Sequence, residues 1–419
     1  MHLKYITNCR ICDNPVLSFV FSLGKHFLHG SFVNPTKNVY PPIRQIPVDL
    51  VRCNPEFNNG CGLLQLAHTV PPSVLYSNYN YRSSTNATMR GWLDHIVASV
   101  LALKPYPQIV QDIGANDLYT LKRFPHHVKK IGIDGCDIVR QVDSEGIEII
   151  NGLYPDDVPL RLKNSIDIIL SISCLYDIND INRFVRRIVS ELSDDGLWVF
   201  EVAYLPTILK NVDYSYFCHE HLEAYSLATL EYLLNKHGLK IVKCSLTETN
   251  NGSILCYASH TSCVKFDNKE EKDNLQKIRL SEFDLELDTD KPYREFIHKA
   301  ENHREQLFNL IKNIVEEKKQ TVHLLAASTK GNVVLQFVCI DNNLIKYAAD
   351  RSPEKVGCKT LGTDIEIISE EESRKMNRDY YLCLIPTFKK EVLEREKEFI
   401  ANGGKIIFPF PYPTCIVPE

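Results

Sequence analysis

Beyond residue 107 the chain alternates between short apolar runs and amphipathic stretches. The runs QIVQDI, KKIGID, IEIING, SIDIILSI, GLWVFEVA and LKIVKCSL have the length and β-branched content of buried strands, with NGSILCYASH completing an edge hairpin. Strands separated by helical patterns predict a parallel sheet with crossover helices, here a doubly wound sheet of six or seven strands. A helical approach, SVLYSNYNYRSSTNATMRGWLDHIVASVLAL, leads into it from Ser73. Between about Lys265 and Asp290 the sequence turns polar and charged. Pro292 then opens a long amphipathic pattern through Phe296, Ala300, Leu307, Ile311 and Ile314, read as a connecting helix. The alternation restarts with VHLLAAS, a turn at Thr329-Lys330-Gly331-Asn332, a helix from Val333, and the strands LIKYAAD, DYYLCLIP and GKIIFPFP. A second, smaller Rossmann-like sheet is expected there.

The stretch up to about Pro72 is different: rich in turns, short strands and cysteine, with no helical periodicity beyond a turn or two. Cys9 and Cys12 form a C-x2-C pair, and Cys53 and Cys61 supply a second pair with NPEFNNG looped out between them. Together they would make the tetrahedral thiolate set that zinc prefers. The strands around them are too meagre to bury a core alone, so metal would supply the missing stability; four unrelated thiols are the alternative. Four thiolates fill the shell, which makes the expected ion structural. The fold class is therefore α/β in three parts. A zinc-ribbon-like module covers 1–72, a central doubly wound Rossmann-like domain 73–263, and the connecting helix with a smaller Rossmann-like domain 264–419.

Composition narrows the partners. A 419-residue chain with 44% hydrophobic and 24% charged residues is long enough for two or three cores. Its formal charge of -5 and scattered Lys and Arg give no basic field for a phosphate backbone, so no nucleic-acid partner is expected. MHLKYITNCRICDNP lacks the apolar stretch of a signal peptide, and no segment approaches 18 consecutive apolar residues, so a cytoplasmic protein without a membrane span is expected. Among 14 cysteines, the ten outside the two pairs read as small buried hydrophobes.

The first crossover carries candidate cofactor chemistry. QIVQDIGANDLYTL places Asp112 near a strand end, then Gly114 and Asn116-Asp117 before a helical run. Gly114 would let the backbone pass close to a cofactor, with loop amides facing the amino-acid carboxylate of S-adenosylmethionine. The next strand ends in Asp134 of IGIDG, where a carboxylate would accept from both ribose hydroxyls. A nicotinamide dinucleotide would use the same acid, but the full G-x-G-x-x-G fingerprint is absent.

Read together, the cysteine pairs, SSTNATMR, IGAND, FEVAYL, CHEHLEAYSL, ASTKGN and SPEKVGCKTLGTDI resemble the sugar C-3 methyltransferase family over nearly the whole chain. The resemblance implies a zinc-binding domain, a central S-adenosylmethionine-dependent methyltransferase domain and a C-terminal Rossmann-like domain that helps enclose the substrate. It implies a nucleotide-linked 4-keto-6-deoxy sugar, carried by dTDP or GDP, from which a base removes the C3 proton before the enolate takes the methyl group. The family's base corresponds to His221, with Glu220 orienting the sugar or the imidazole, and Tyr79 matches a tyrosine of the substrate pocket. An imidazole near its ordinary pKa suits proton transfer at neutral pH. At the strand-to-helix turn of ASTKGN, Lys330 is expected to contact a nucleotide diphosphate, with Asn332 and Asp350 in similar loop positions.

Three positions depart from the family pattern. Cys218 stands where a tyrosine is usual, Asp177 of SISCLYDIND where a histidine is usual, and Leu118 in place of the second glycine of the cofactor loop. Asp177 would bind a sugar hydroxyl. The departures fit a different keto-sugar or a member with reduced activity, and leave a sugar O-methyltransferase and a non-catalytic nucleotide-sugar-binding protein as alternatives.

Overall fold

The computed structural model describes residues 3–35, 44–57, 59–75, 82–159 and 162–417. Tyr79 lies outside the described residues.

The strands foreseen in the middle of the chain form one seven-stranded sheet. Its order is Leu239–Thr247, Ser253–His260, Leu192–Ala203, Ile166–Ile172, Ile109–Ile113, Lys129–Asp134, Glu148–Asn151. All pairs from Leu192–Ala203 to Glu148–Asn151 are parallel, and Ser253–His260 inserts antiparallel to both its neighbours. The inner strands are buried on both faces, which is why they read as unbroken apolar runs rather than alternating ones. The order reverses between Ile109–Ile113 and Ile166–Ile172, leaving a crevice at their carboxyl ends. The helix Ala87–Leu103 covers one face with Met89, Leu93, Ile96, Val97 and Val100, and starts where the Asn86 side chain accepts from the Met89 amide.

The polar stretch after Lys265 contains a helix, Lys269–Phe283. The Asn268 side chain caps it, accepting from the Glu270 and Glu271 amides, and only Leu275, Ile278 and Glu282 are buried. So narrow a buried stripe leaves almost no periodic apolar signal. The connecting helix is Lys291–Lys312. In the last sheet, Val322–Leu325, Tyr347–Asp350, Glu366–Ser369, Tyr380–Cys383 and Lys405–Phe408 run parallel. The expected turn at 329–332 is instead the first turn of the helix Thr329–Val338: Ser328 is its N-cap and accepts from the Gly331 amide at 3.0 Å.

The N-terminal segment shares strands with both later regions. Its antiparallel sheet of Leu17–His26, Ile46–Cys53 and Leu64–Leu66 takes Glu223–Ala224 as a fourth strand, and Phe32–Val33 pairs with Lys359–Thr360 of the last sheet. The loop just before Glu223 is thereby held against the cysteine-rich module. No described helix is long and apolar enough to cross a membrane.

Candidate active site

A cleft of about 650 Å3 opens at the point where the central strand order reverses. One wall is Asp112 to Asp117 with Asp134, a second carries Glu220 and His221, and a third is Thr329 and Lys330 of the last domain.

Gly114 has φ +81 and sits against Cys174, whose Cβ would be 3.2 Å from an added Cβ, so this crossing requires glycine. The expectation that its loop amides face a ligand carboxylate is corrected here. The Gly114 and Ala115 amides both donate to the Ile133 carbonyl, and the Asn116 amide donates to Asp134 Oδ2 at 2.8 Å. Asn116 and Asp117 are tied as well: Asn116 Oδ1 accepts from the Ser83 amide and Asp117 Oδ2 from the Ser84 amide, which pins SSTNATMR over one end of the cleft. Asp134 also accepts from the Cys136 amide at 2.7 Å.

Three carboxylates, Asp112, Asp117 and Asp134, thus gather around Gly114. Burial, together with Asp134 and Asp117 nearby, pushes the Asp112 carboxyl up to about 7. A cation would relieve that crowding. S-adenosylmethionine carries a sulfonium and an ammonium, and the donor set fits it.

Leu118 adopts φ +62, the left-handed conformation a glycine would take without strain, and is fully buried. Its Cδ2 fills the space where a Cβ on Gly132 would come within 2.7 Å. Asn116, Ser173 and Asn250 also have positive φ and line the cleft, so backbone strain concentrates here.

In the CHEHLEAYSL loop, His221 is half-buried and its ring packs between Tyr176 and Tyr216, with centroids at 4.5 and 4.6 Å. His221 Nδ1 donates to the Tyr216 carbonyl at 2.7 Å. A carbonyl only accepts, so the proton is fixed on Nδ1 and Nε2 keeps its lone pair. Burial and the Lys330 charge lower the imidazole to about 3, which corrects the expectation of a ring near its ordinary pKa: it is neutral at physiological pH and a weaker base than a free imidazole. Glu220 does not orient this ring. Its carboxylate lies against Gly30, where an added Cβ would collide with Oε1, and burial raises its pKa to about 7.

Of the remaining predicted residues, Asp177 lines the cleft beside Tyr176. Lys330 also lines it, donating to the Asn250 carbonyl at 3.2 Å, with Asp213 Oδ2 at 3.9 Å. Asn332 does not face the cleft: it is buried and donates to the His29 carbonyl at 2.6 Å, because it lies in the first helical turn on the side facing the N-terminal module. Asp350 is occupied by the Ala327 and Ser352 amides. Cys218 is wholly buried, outside the cleft lining. Sequence reasoning missed Thr69, Asn179, Arg183 and Asn250, cleft residues that belong to no motif; Thr69 ends a two-residue strand and Arg183 lies in the helix Ile181–Glu191.

The four predicted cysteines converge, with all sulfurs within 4.8 Å of one another, and all are free thiols. This arrangement fits one tetrahedral zinc. The seven-residue insertion loops out as expected, closed by the Gly60 amide on the Phe57 carbonyl and by Asn14 Nδ2 on that same carbonyl. Between the first two ligands, Arg10 donates to the Leu66 and His68 carbonyls and to Thr69 Oγ1, and Thr69 donates to Asn179 Oδ1 at 2.7 Å.

The comparisons with known proteins agree with this arrangement. Residues 9–76 match the family described as "Putative zinc binding domain", residues 86–244 a methyltransferase domain, and residues 248–411 a C-methyltransferase C-terminal domain. Over its whole length the chain is 27% identical to the C-methyltransferase NovU of Streptomyces niveus, covering 98% of that protein. Two solved structures have partial similarity. The Burkholderia thailandensis 1,6-didemethyltoxoflavin-N1-methyltransferase is 15% identical, with a TM-score of 0.34 over 41% of this chain and 80% of that one. The magnesium protoporphyrin IX methyltransferase of Synechocystis PCC 6803 is 14% identical, with a TM-score of 0.32 over 41% and 79%. Three successive matched domains and a relative spanning both chains make this chain similar throughout to C-methyltransferases, with a methyltransferase domain that uses S-adenosylmethionine and a four-cysteine site that fits zinc.

Proposed function

We propose that the protein methylates C3 of a nucleotide-linked 4-keto-6-deoxy sugar, with His221 as the base. The supporting observation is the His221 imidazole on the cleft wall, its tautomer set by the Tyr216 carbonyl so that Nε2 is the accepting nitrogen. A proton on the carbon beside a ketone is acidic enough for a positioned imidazole, and proton transfer of this kind contributes about 10²–10⁴ in rate.

S-adenosylmethionine supplies an electrophilic methyl group. Asp134 binds its ribose hydroxyls, Asp112 and Asp117 face its positive charge, and the strained turn at Gly114 lets the backbone approach. Glu220 and Asp177, on the substrate side of the cleft, receive sugar hydroxyls. At about 7, the Glu220 carboxyl donates or accepts a hydrogen bond near neutral pH. Tyr79 is assigned to the sugar pocket by the family resemblance. The limits 1–72, 73–263 and 264–419 are proposed as the zinc-binding, S-adenosylmethionine-binding methyltransferase and substrate-binding domains, with the last helping to enclose the substrate.

The test is incubation of purified full-length protein with dTDP- and GDP-linked 4-keto-6-deoxy sugars in heavy water, with and without donor. Deuterium entering C3 without donor, and a one-methylene mass gain with it, is the expected result. Methyl gain on a substrate that shows no exchange at C3 would mean oxygen transfer. Absence of S-adenosylmethionine binding by calorimetry would end the enzyme reading.

A further inference from the structure

We infer that Lys330 is a second catalytic residue, whose ammonium holds the oxygen of the substrate ketone while His221 takes the neighbouring proton. This rests on the C3-methylation reading and deepens it. Lys330 belongs to the C-terminal domain, yet it reaches into the same cleft as His221. Its Nζ is 5.9 Å from the centre of the Tyr216 ring, and the Tyr216 and His221 ring centres are 4.6 Å apart. Both side chains line the one cleft, so the Lys330 charge also acts on the His221 imidazole and lowers it.

The ammonium is held in place from behind. It donates to the Asn250 carbonyl, and Asp213, nearly fully buried, lies 3.9 Å away. Asp213 is itself fixed by Ser215 Oγ and by Asn251 Nδ2 at 3.1 Å. Of three N–H donors, one is used on Asn250, which leaves donors for a ligand oxygen in the cleft. A surface lysine reaching for a phosphate needs no such anchor, whereas a fixed cation beside a base is what enolisation requires.

In the step, the C3–H bond breaks and its proton goes to His221 Nε2. The C–H electron pair becomes the C3–C4 π bond, and the former carbonyl π pair moves to the oxygen facing Lys330. Charge develops at that oxygen only as the proton leaves, so a preorganised cation there favours the transition state over the ground state.

The experiment compares wild type and Lys330→Met, both full length and checked for folding by near-UV circular dichroism. Deuterium exchange at C3 of a dTDP-linked 4-keto-6-deoxy sugar is followed by NMR without donor, and dTDP and donor affinities by calorimetry. If the Met variant does not fold, Lys330→Gln, which keeps a donor for Asn250, replaces it. The expected result is a 10²–10³-fold loss of exchange, with both affinities within about threefold of wild type. Exchange at the wild-type rate, or a loss confined to dTDP binding as a phosphate contact would give, overturns the inference. If wild type exchanges no substrate of this class, the C3-methylation reading fails first, a result distinct from wild-type exchange that Lys330→Met leaves intact.

Discussion

His221 and Tyr216 are joined across five residues of one loop, the imidazole Nδ1 donating to the tyrosine's own carbonyl at 2.7 Å. The base is therefore oriented by backbone rather than by the adjacent Glu220. A carbonyl cannot ionise, so the tautomer of the neutral ring does not change with pH.

For His221→Gln, turnover should fall by about 10²–10⁴, the contribution of a positioned general base. Donor affinity should remain within about twofold of wild type, because Asp112, Asp134 and Gly114 belong to a different segment of the cleft lining. Single-turnover methyl transfer and calorimetry check the two halves, and near-normal turnover would remove His221 as base.

Leu118→Gly should destabilise the protein although it removes left-handed strain. Relief of that strain gains about 1–2 kcal/mol, but deleting a fully buried leucine costs about 3–5 kcal/mol. A net loss of about 2 kcal/mol is expected in urea unfolding. Equal or greater stability in the variant would show that the side chain contributes little packing.

Removing the zinc site should affect the cleft as well as the fold. Arg10, between two ligands, holds Thr69, which holds Asn179, and both of those line the cleft. Cys12→Ser should lower bound zinc well below about one per chain and cost roughly 3 kcal/mol or more of stability. Sugar binding should weaken in parallel; unchanged sugar affinity in the metal-free protein would separate the two sites.

His68 sets up a pH prediction. It is fully buried, neither ring nitrogen has a hydrogen-bond partner, and burial lowers it from 6.5 to about 4. The unfolded chain therefore binds the extra proton first as pH falls, so this residue lowers stability progressively from about pH 6.5 down to about 4 and has no such effect above 6.5. At pH 5 the penalty is about 2 kcal/mol. His68→Phe should leave the protein at least as stable at pH 7.5 and raise its relative stability at pH 5 by about that amount. Parallel pH profiles for the two proteins would refute the assignment.

By itself the sequence determined what depends on local order. The four cysteines were legible because a C-x2-C knuckle aims two sulfurs over a few bonds. The central strands were legible because burial on both faces leaves unbroken apolar runs, and Gly114 and Asp134 because each marks a strand end. Only the tertiary structure decided which partner each polar group takes. The loop amides of Gly114 and Ala115 go to Ile133, Asn332 turns to His29, and Lys330 goes to the Asn250 carbonyl. It also decided that Leu118 accepts left-handed strain. Such choices are made between segments distant in sequence, after packing has removed water as the competing partner, and no local pattern of residues encodes them.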